Sequence, residues 1–127
     1  MIDNSDYVSY EVADELNTAG FSETSLGKYV DCPIDPTLFH GMFYEMWNLE
    51  DGEMLAPSLW QAAKWLRGRG YIISVEPFFS KHIDSVFYIG RLYSIAERRE
   101  IYSCSGDCTH EKAWSMCMQK ALQLINY

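Results

Sequence analysis

The stretch "CSGDCTHEKAWSMC", residues 104–117, holds three of the chain's four cysteines and one of its three histidines. Cys104, Cys108 and His110 follow a C-x3-C-x-H spacing, and Cys117 could supply a fourth ligand. Structural zinc sites take four Cys or His ligands in a tetrahedron, so the residue types fit zinc. The spacing does not match the ligand spacings that zinc sites commonly use. We therefore expect no metal and no other cofactor here, and these four residues are the candidates if a metal is bound.

The same stretch offers a second chemistry, nucleophilic catalysis. Cys108 comes just before an expected helix, and a thiol at a helix N-terminus is activated. His110 is near in sequence, but no third group that would orient it is identifiable. Thr109 followed by Glu111 is also typical of a helix start, with a cap and an acidic residue in the first turn. We favour a loop that leads into a helix, and we expect that the chain is not an enzyme.

Three helices are predicted to frame this stretch. The first lies in "VSYEVADELNTAGF", with Ser9 as N-cap and Gly20-Phe21 as its C-terminal stop. The second lies in "APSLWQAAKWLRGRG", where Ser58 and Gln61 form an S-x-x-Q capping box. The third runs from about Thr109 to Asn126. Its apolar stripe comprises Trp114, Cys117, Met118, Ala121, Leu122 and Ile125.

Three strands are predicted between the second and third helices. "YIISVEPFF", "SVFYIGRLYSI" and "REIYSCS" combine β-branched and aromatic residues and are separated by short connections. Short connections favour antiparallel neighbours, which makes these strands a meander. Cys104 then lies at the end of the third strand, and Cys117 lies on the buried stripe of the last helix.

The segment of residues 22–56 is the hardest to interpret. "CPIDP" contains two prolines and fits neither a helix nor a central strand. We expect an extended segment over about residues 40–49, which could add a strand to the sheet. A short helix is the alternative, since Phe39, Met42, Phe43 and Met46 also fit a 3.6-residue period.

Together these elements predict an α+β fold in the order α-(β)-α-β-β-β-α, with helices packed on one face of an antiparallel sheet of three or slightly more strands. The length of 127 residues fits a single domain over residues 1–127. Its parts are an acidic N-terminal part, 1–56, and an α-β-β-β-α part, 57–127. Hydrophobic residues make up 48% and charged residues 22%, which excludes a disordered chain.

The charge is divided unevenly along the chain. Residues 1–56 carry twelve Asp or Glu and one Lys, whereas residues 57–127 carry six acidic and nine basic residues. This asymmetry indicates either two faces with different partners or an acidic surface that only aids solubility. No apolar run is long enough to span a membrane, and the polar, acidic start lacks the features of a signal peptide. We therefore expect a protein of the bacterial cytoplasm with reduced cysteines, and two disulfides are the alternative.

Two segments carry a resemblance when they are taken together: "YVSYEVADELNTAGF" and "APSLWQAAKWLR", the latter followed by "ISVEPFF". They resemble a group of small proteins encoded by Bacteroidetes and by their phages and mobile elements. That group shares the patterns "YVSxExAxxLxxxGF" and "AP[ST]LxxAxxWLR". The resemblance covers most of the chain outside residues 22–55. It implies a phage or mobile-element origin, and it implies no activity and no functional residue.

The α-β-β-β-α order of residues 57–127 is also similar to that of a double-stranded-RNA-binding domain. That family places a cluster of lysines at the start of its last helix to hold phosphates. Here the matching positions offer only His110 and Lys112, next to Asp107 and Glu111. Because phosphate contacts dominate such affinity, this difference counts against nucleic-acid binding.

The remaining hypothesis is a non-catalytic module that binds a protein or sequesters a small ligand. It depends on the acidic first half and on an aromatic, Met-rich segment that would suit a partner surface if it is exposed. The residues of this candidate surface are Phe39, Met42, Phe43, Tyr44, Met46 and Trp47. A homodimer is a further expectation, because an open sheet leaves edges that must be covered.

Overall fold

The structure is a computed structural model, and it describes residues 6–79, 86–105 and 109–126. The elements, in chain order, are α1 (Tyr10–Thr18), β1 (Ser25–Val30), β2 (Thr37–Tyr44), a 3-10 helix (Met46–Asn48), β3 (Met54–Leu55), α2 (Leu59–Gly68), β4 (Tyr71–Phe79), β5 (Val86–Ser94), β6 (Arg99–Cys104) and α3 (His110–Asn126). Three α-helices and two antiparallel three-stranded sheets confirm the α+β class for the described part of the chain.

The chain divides into two compact units. Met1–Ala62 with Ile125–Tyr127 form the first unit, and Ala63–Leu124 form the second. The sheet of order β2-β1-β3 belongs to the first unit, and the sheet of order β4-β5-β6 belongs to the second. The single domain expected over residues 1–127 stays a prediction.

Helix α1 begins and ends as its sequence predicts. The Ser9 hydroxyl accepts a hydrogen bond from the Val12 amide at 3.3 Å, which caps the first turn. At the other end Gly20 adopts a φ of 100°, and the Phe21 amide donates to the Leu16 carbonyl at 2.9 Å. This is the Schellman stop, and it turns the Phe21 side chain into the core, where it is fully buried.

At the start of α2 one of the two hydrogen bonds of the predicted capping box is present. The Gln61 amide donates to the Ser58 hydroxyl at 3.1 Å. The Gln61 side chain donates from Nε2 to the Thr24 carbonyl at 2.7 Å, so it holds the residue before β1.

The segment of residues 22–56 contains a sheet that the sequence did not predict. β1 pairs with β2 on one side and with β3 on the other, in both cases antiparallel. The extended segment expected over residues 40–49 starts earlier, at Thr37, and ends at Tyr44, after which the chain forms the 3-10 helix. This strand adds to β1 and not to the predicted meander, since its pairing partner lies within the same segment.

The second unit contains the predicted meander. β4 pairs with β5 over its whole length, and β5 pairs with β6. The connection between β5 and β6 spans residues 95–98, close to the predicted Ala96–Arg98, while the predicted connection near Lys81–Asp84 lies outside the described residues. Helix α3 is capped by the Thr109 hydroxyl, which accepts from the Lys112 amide at 3.1 Å. The buried residues of α3 are Ala113, Cys117, Met118, Ala121 and Leu122.

Candidate protein-binding surface

β2 and the 3-10 helix carry five exposed large apolar side chains on the first unit. The fractional exposures are 50% for Phe39, 66% for Met42, 76% for Phe43, 43% for Met46 and 78% for Trp47. We call these five residues the aromatic patch. Most large apolar side chains of a domain this size are expected in its core, so five exposed within nine residues need a reason.

Tyr44, the sixth residue of the predicted surface, is half-buried, unlike the five patch residues, and its neighbours hold it in place. The Lys28 ammonium lies 5.0 Å from the centre of its ring. The same ammonium binds both carboxylate oxygens of Glu53, at 3.0 and 2.9 Å. Tyr44 is therefore a fixed border of the aromatic patch.

Glu53 is the centre of a small polar network beside the patch. Its Oε1 accepts a hydrogen bond from the Glu50 amide at 3.0 Å. That backbone hydrogen bond, followed by the hydrogen bond from Lys28, lowers the pKa of the Glu53 carboxyl below its ordinary value. The network pairs the one lysine of residues 1–56, a segment that otherwise carries twelve Asp or Glu side chains.

The strand that carries the patch changes its course at Gly41. The pairs Gly27↔His40 and Ser25↔Tyr44 show that four residues of β2 span the distance of two residues of β1. Gly41 adopts a φ of 101° within this irregularity, in a region that side chains disfavour. Just before it, the His40 ring stacks on Tyr7, with centroids 5.3 Å apart and planes at 24°.

Two of the candidate metal ligands come together in the second unit. A Cβ placed on Gly90 would lie 3.0 Å from the Cys104 Sγ and 2.9 Å from the Cys117 Sγ. Both cysteines are buried, as expected for the end of a strand and for the stripe of the last helix. His110 is exposed and contacts Tyr88 and Trp114, whose Nε1 lies 3.3 Å from the His110 Nε2. Cys108 lies outside the described residues, and the described part of the chain contains no group of three or more His, Cys, Asp or Glu side chains that could hold a metal ion.

A shallow cavity of about 240 Å³ lies on the second unit. Its lining residues are Tyr102, Met116, Gln119, Lys120 and Gln123. The lining offers one cation and two amides, and it differs from the mostly apolar, enclosed lining that small-molecule sites usually have.

The sequence singled out the patch residues but predicted neither their exposure nor their setting in a sheet. β1 was not predicted, so the position of β2 at the edge of a sheet was not visible. The Lys28–Glu53 pair that borders the patch joins residues 25 positions apart, and no local pattern indicates it.

Comparisons with known proteins give no further assignment. No family model, no curated protein and no solved structure matches this chain. Within the described residues, no helix is both long enough and apolar enough to cross a membrane.

Proposed function

We propose that this chain is a non-catalytic protein-binding module, an accessory protein of phage or mobile-element origin that acts in the cytoplasm of a bacterial host. The origin rests on the sequence resemblance alone. The binding role rests on one observation, the exposure of the aromatic patch on β2 and the 3-10 helix.

The composition of the patch favours a protein partner. Aromatic residues and Met are enriched in the buried centres of protein interfaces, and Trp is over-represented among the residues that dominate binding energy. Trp47 and Phe43 are the two most exposed members of the patch. Burying either side chain in an interface would contribute about 1.5–3 kcal/mol.

The charge around the patch indicates what kind of partner fits. Residues 1–56 hold twelve carboxylate side chains and one lysine, and that lysine is paired with Glu53. Along the chain, Asp35 precedes the patch, Glu45 lies within it and Glu50 follows it. A partner with a basic rim around an apolar centre would complement both the apolar side chains of the patch and the acidic charge of this segment.

The test uses two variants matched for residue type and exposure. The patch variant combines Phe43→Ser with Trp47→Ser, at side chains that are 76% and 78% exposed. The control variant combines Phe79→Ser with Trp60→Ser, at side chains that are 73% and 71% exposed. Each protein is immobilised, exposed to host-cell lysate and analysed by quantitative mass spectrometry.

The proposal expects a protein that the wild type and the control variant retain equally and that the patch variant loses. Losing one dominant interface side chain costs about 2 kcal/mol or more, which corresponds to at least a tenfold loss of affinity. Equal retention by both variants would contradict the proposal, because binding would then not depend on the patch. Thermal unfolding of both variants is the check that each remains folded.

A further inference from the structure

The four edge strands of the two described sheets differ in how they are protected. Open edges invite pairing with other chains, and proteins usually block them with charges, proline, short length or a covering group. β3 has only two residues, and the Asn17 side chain donates to the Leu55 carbonyl at 3.2 Å. β4 contains Glu76 and Pro77, and β6 contains Arg99 and Glu100.

β2 has none of these four protections along its own sequence, and its pairing with β1 is regular over residues 37–40, before the irregularity at Gly41. Its eight residues, "TLFHGMFY", include no Asp, Glu, Lys, Arg or Pro. Among the described residues it pairs with β1 alone, and its other edge carries no strand. The same strand carries three members of the aromatic patch, so the backbone edge and the exposed side chains lie together.

The pairing of β1 with its neighbours fixes which backbone groups of β2 point to that edge. The Ala56 amide donates to the Gly27 carbonyl at 2.9 Å, so the backbone groups of Gly27 point toward β3. In an antiparallel strand the backbone N–H and C=O groups of successive residues point to opposite neighbouring strands. The backbone groups of Lys28 therefore point toward β2. Lys28 lies opposite Phe39. The N–H and C=O groups of Phe39 therefore point inward to β1, and those of Leu38 and His40 point to the open edge.

We infer that a basic, extended segment of the partner protein adds to the open edge of β2 as a fourth strand, with its backbone bonded to Leu38 and His40. This inference rests on the proposed function and specifies how the partner is bound. Strand addition takes its affinity from main-chain hydrogen bonds and its specificity from alternate side chains. The aromatic patch supplies the side-chain contacts, and the acidic charge of the N-terminal part favours a segment that carries Lys or Arg.

A second copy of this chain fits the same edge less well. Pairing of two β2 strands would bring together two copies of an N-terminal part that carries twelve carboxylates and one lysine. Like charges placed opposite each other across an interface oppose association, whereas a basic segment gains from the same charges. The basic segment is therefore the occupant that the charges favour.

His40 provides a matched pair of variants for the backbone contact. His40→Pro removes the outward N–H and places the proline ring at the open edge, and proline is tolerated where the N–H of an edge strand faces away from the sheet. His40→Ala keeps the N–H and loses the same imidazole contact with Tyr7. The difference in peptide affinity between the two variants therefore reports on the backbone N–H at the open edge.

The probe is a capped peptide in which Lys-Val is repeated four times, and binding is measured by fluorescence polarisation at low salt. A Glu-Val peptide of the same length controls for charge. A Lys-Val peptide with N-methyl groups on two adjacent central residues controls for backbone pairing. The inference expects the Lys-Val peptide to bind wild type and His40→Ala, and both control peptides to fail. It expects affinity for His40→Pro to fall by about tenfold to a hundredfold, because a buried partner carbonyl is left without its donor.

Three outcomes would overturn the inference. The first is equal affinity of the two His40 variants for the Lys-Val peptide, with both shown to be folded by circular dichroism. The second is no binding of the Lys-Val peptide to wild type at about 1 mM. The third is concentration-dependent dimerisation in sedimentation that His40→Pro abolishes, since a second copy would then occupy the edge. If Phe43→Ser with Trp47→Ser abolishes partner capture while His40→Pro does not, strand addition fails and the proposed function stands.

Discussion

Gly90→Ala is predicted to destabilise the protein, although Ala normally suits a strand better than Gly. A Cβ on Gly90 would lie 2.9 Å from the Ala113 carbonyl oxygen and 2.9 Å from the Cys117 Sγ. It would also lie 3.0 Å from the Cys104 Sγ. The closest of these atoms include main chain of α3, which cannot move aside without shifting the helix.

The expected magnitude follows from two opposing effects. Replacing Gly by Ala in a strand interior normally stabilises by about 0.5–1 kcal/mol. Forcing an extra methyl group into a packed site normally costs about 1–3 kcal/mol, and here three atoms lie closer than a Cβ usually tolerates. We expect overpacking to dominate and the free energy of unfolding to fall by about 1–2 kcal/mol.

Urea unfolding monitored by circular dichroism measures this change, and Gly68→Ala is its matched control. A Cβ on Gly68, at the end of α2, would have no atom within 4 Å, and we expect that variant to gain about 0.5–1 kcal/mol. The opposite signs of the two glycine variants are the diagnostic result. A Gly90→Ala variant as stable as wild type, or more stable, would refute the close packing of β5, β6 and α3 at this point.

Two further predictions concern the first unit. In the isolated protein, the amides of Leu38 and His40 should exchange with deuterium faster than those of Thr37 and Phe39, as measured by NMR; uniform protection along these four residues would contradict the open edge of β2. The pKa of the Glu53 carboxyl is lowered from its ordinary value of 4.5. The ionised carboxylate should therefore stabilise the fold fully above about pH 4.5, and this stabilisation should be lost as the pH falls through the lowered pKa of the folded state. Acid titration of the free energy of unfolding should therefore show a smaller decline at acidic pH for Glu53→Gln than for wild type, and parallel curves would show that the Lys28–Glu53 network contributes no pH dependence.

The parts of the fold that sequence reasoning predicted depend on local signals. Ser9, Ser58 and Thr109 cap their helices with bonds to residues three positions later, and each bond can be anticipated from a short pattern. The Gly20-Phe21 stop is equally local, since it is completed by bonds to Asn17 and Leu16. The meander of β4, β5 and β6 followed from β-rich runs separated by short connections.

The parts that were missed depend on pairing between distant residues. β1 contains a glycine, Gly27, where a Cβ would meet the Ala56 carbonyl oxygen at 2.7 Å, so the glycine is required by the close approach of the backbone that follows β3. Sequence pattern alone treats such a glycine as a weakness in a strand. Without β1, neither the second sheet nor the open edge of β2 could be foreseen, although the patch residues themselves were identified.

The convergence of Cys104 and Cys117 beside Gly90 could be predicted only in part. The sequence placed one cysteine at the end of a strand and the other on a buried helical stripe, and both positions are confirmed. That the two sulfur atoms face the same glycine depends on the register of β5 with β6, in which Gly90 lies opposite Cys104.

The central claim, that the aromatic patch is a protein-binding surface, is tested most directly by photo-crosslinking in the host cell. A benzophenone amino acid replaces Phe43 in one strain and Phe79 in another, two phenylalanines with exposures of 76% and 73% on different units. If the patch is the binding surface, irradiation joins the chain to a second protein from position 43 and not from position 79. The same adduct from both positions, or an adduct from position 79 alone, would contradict this claim.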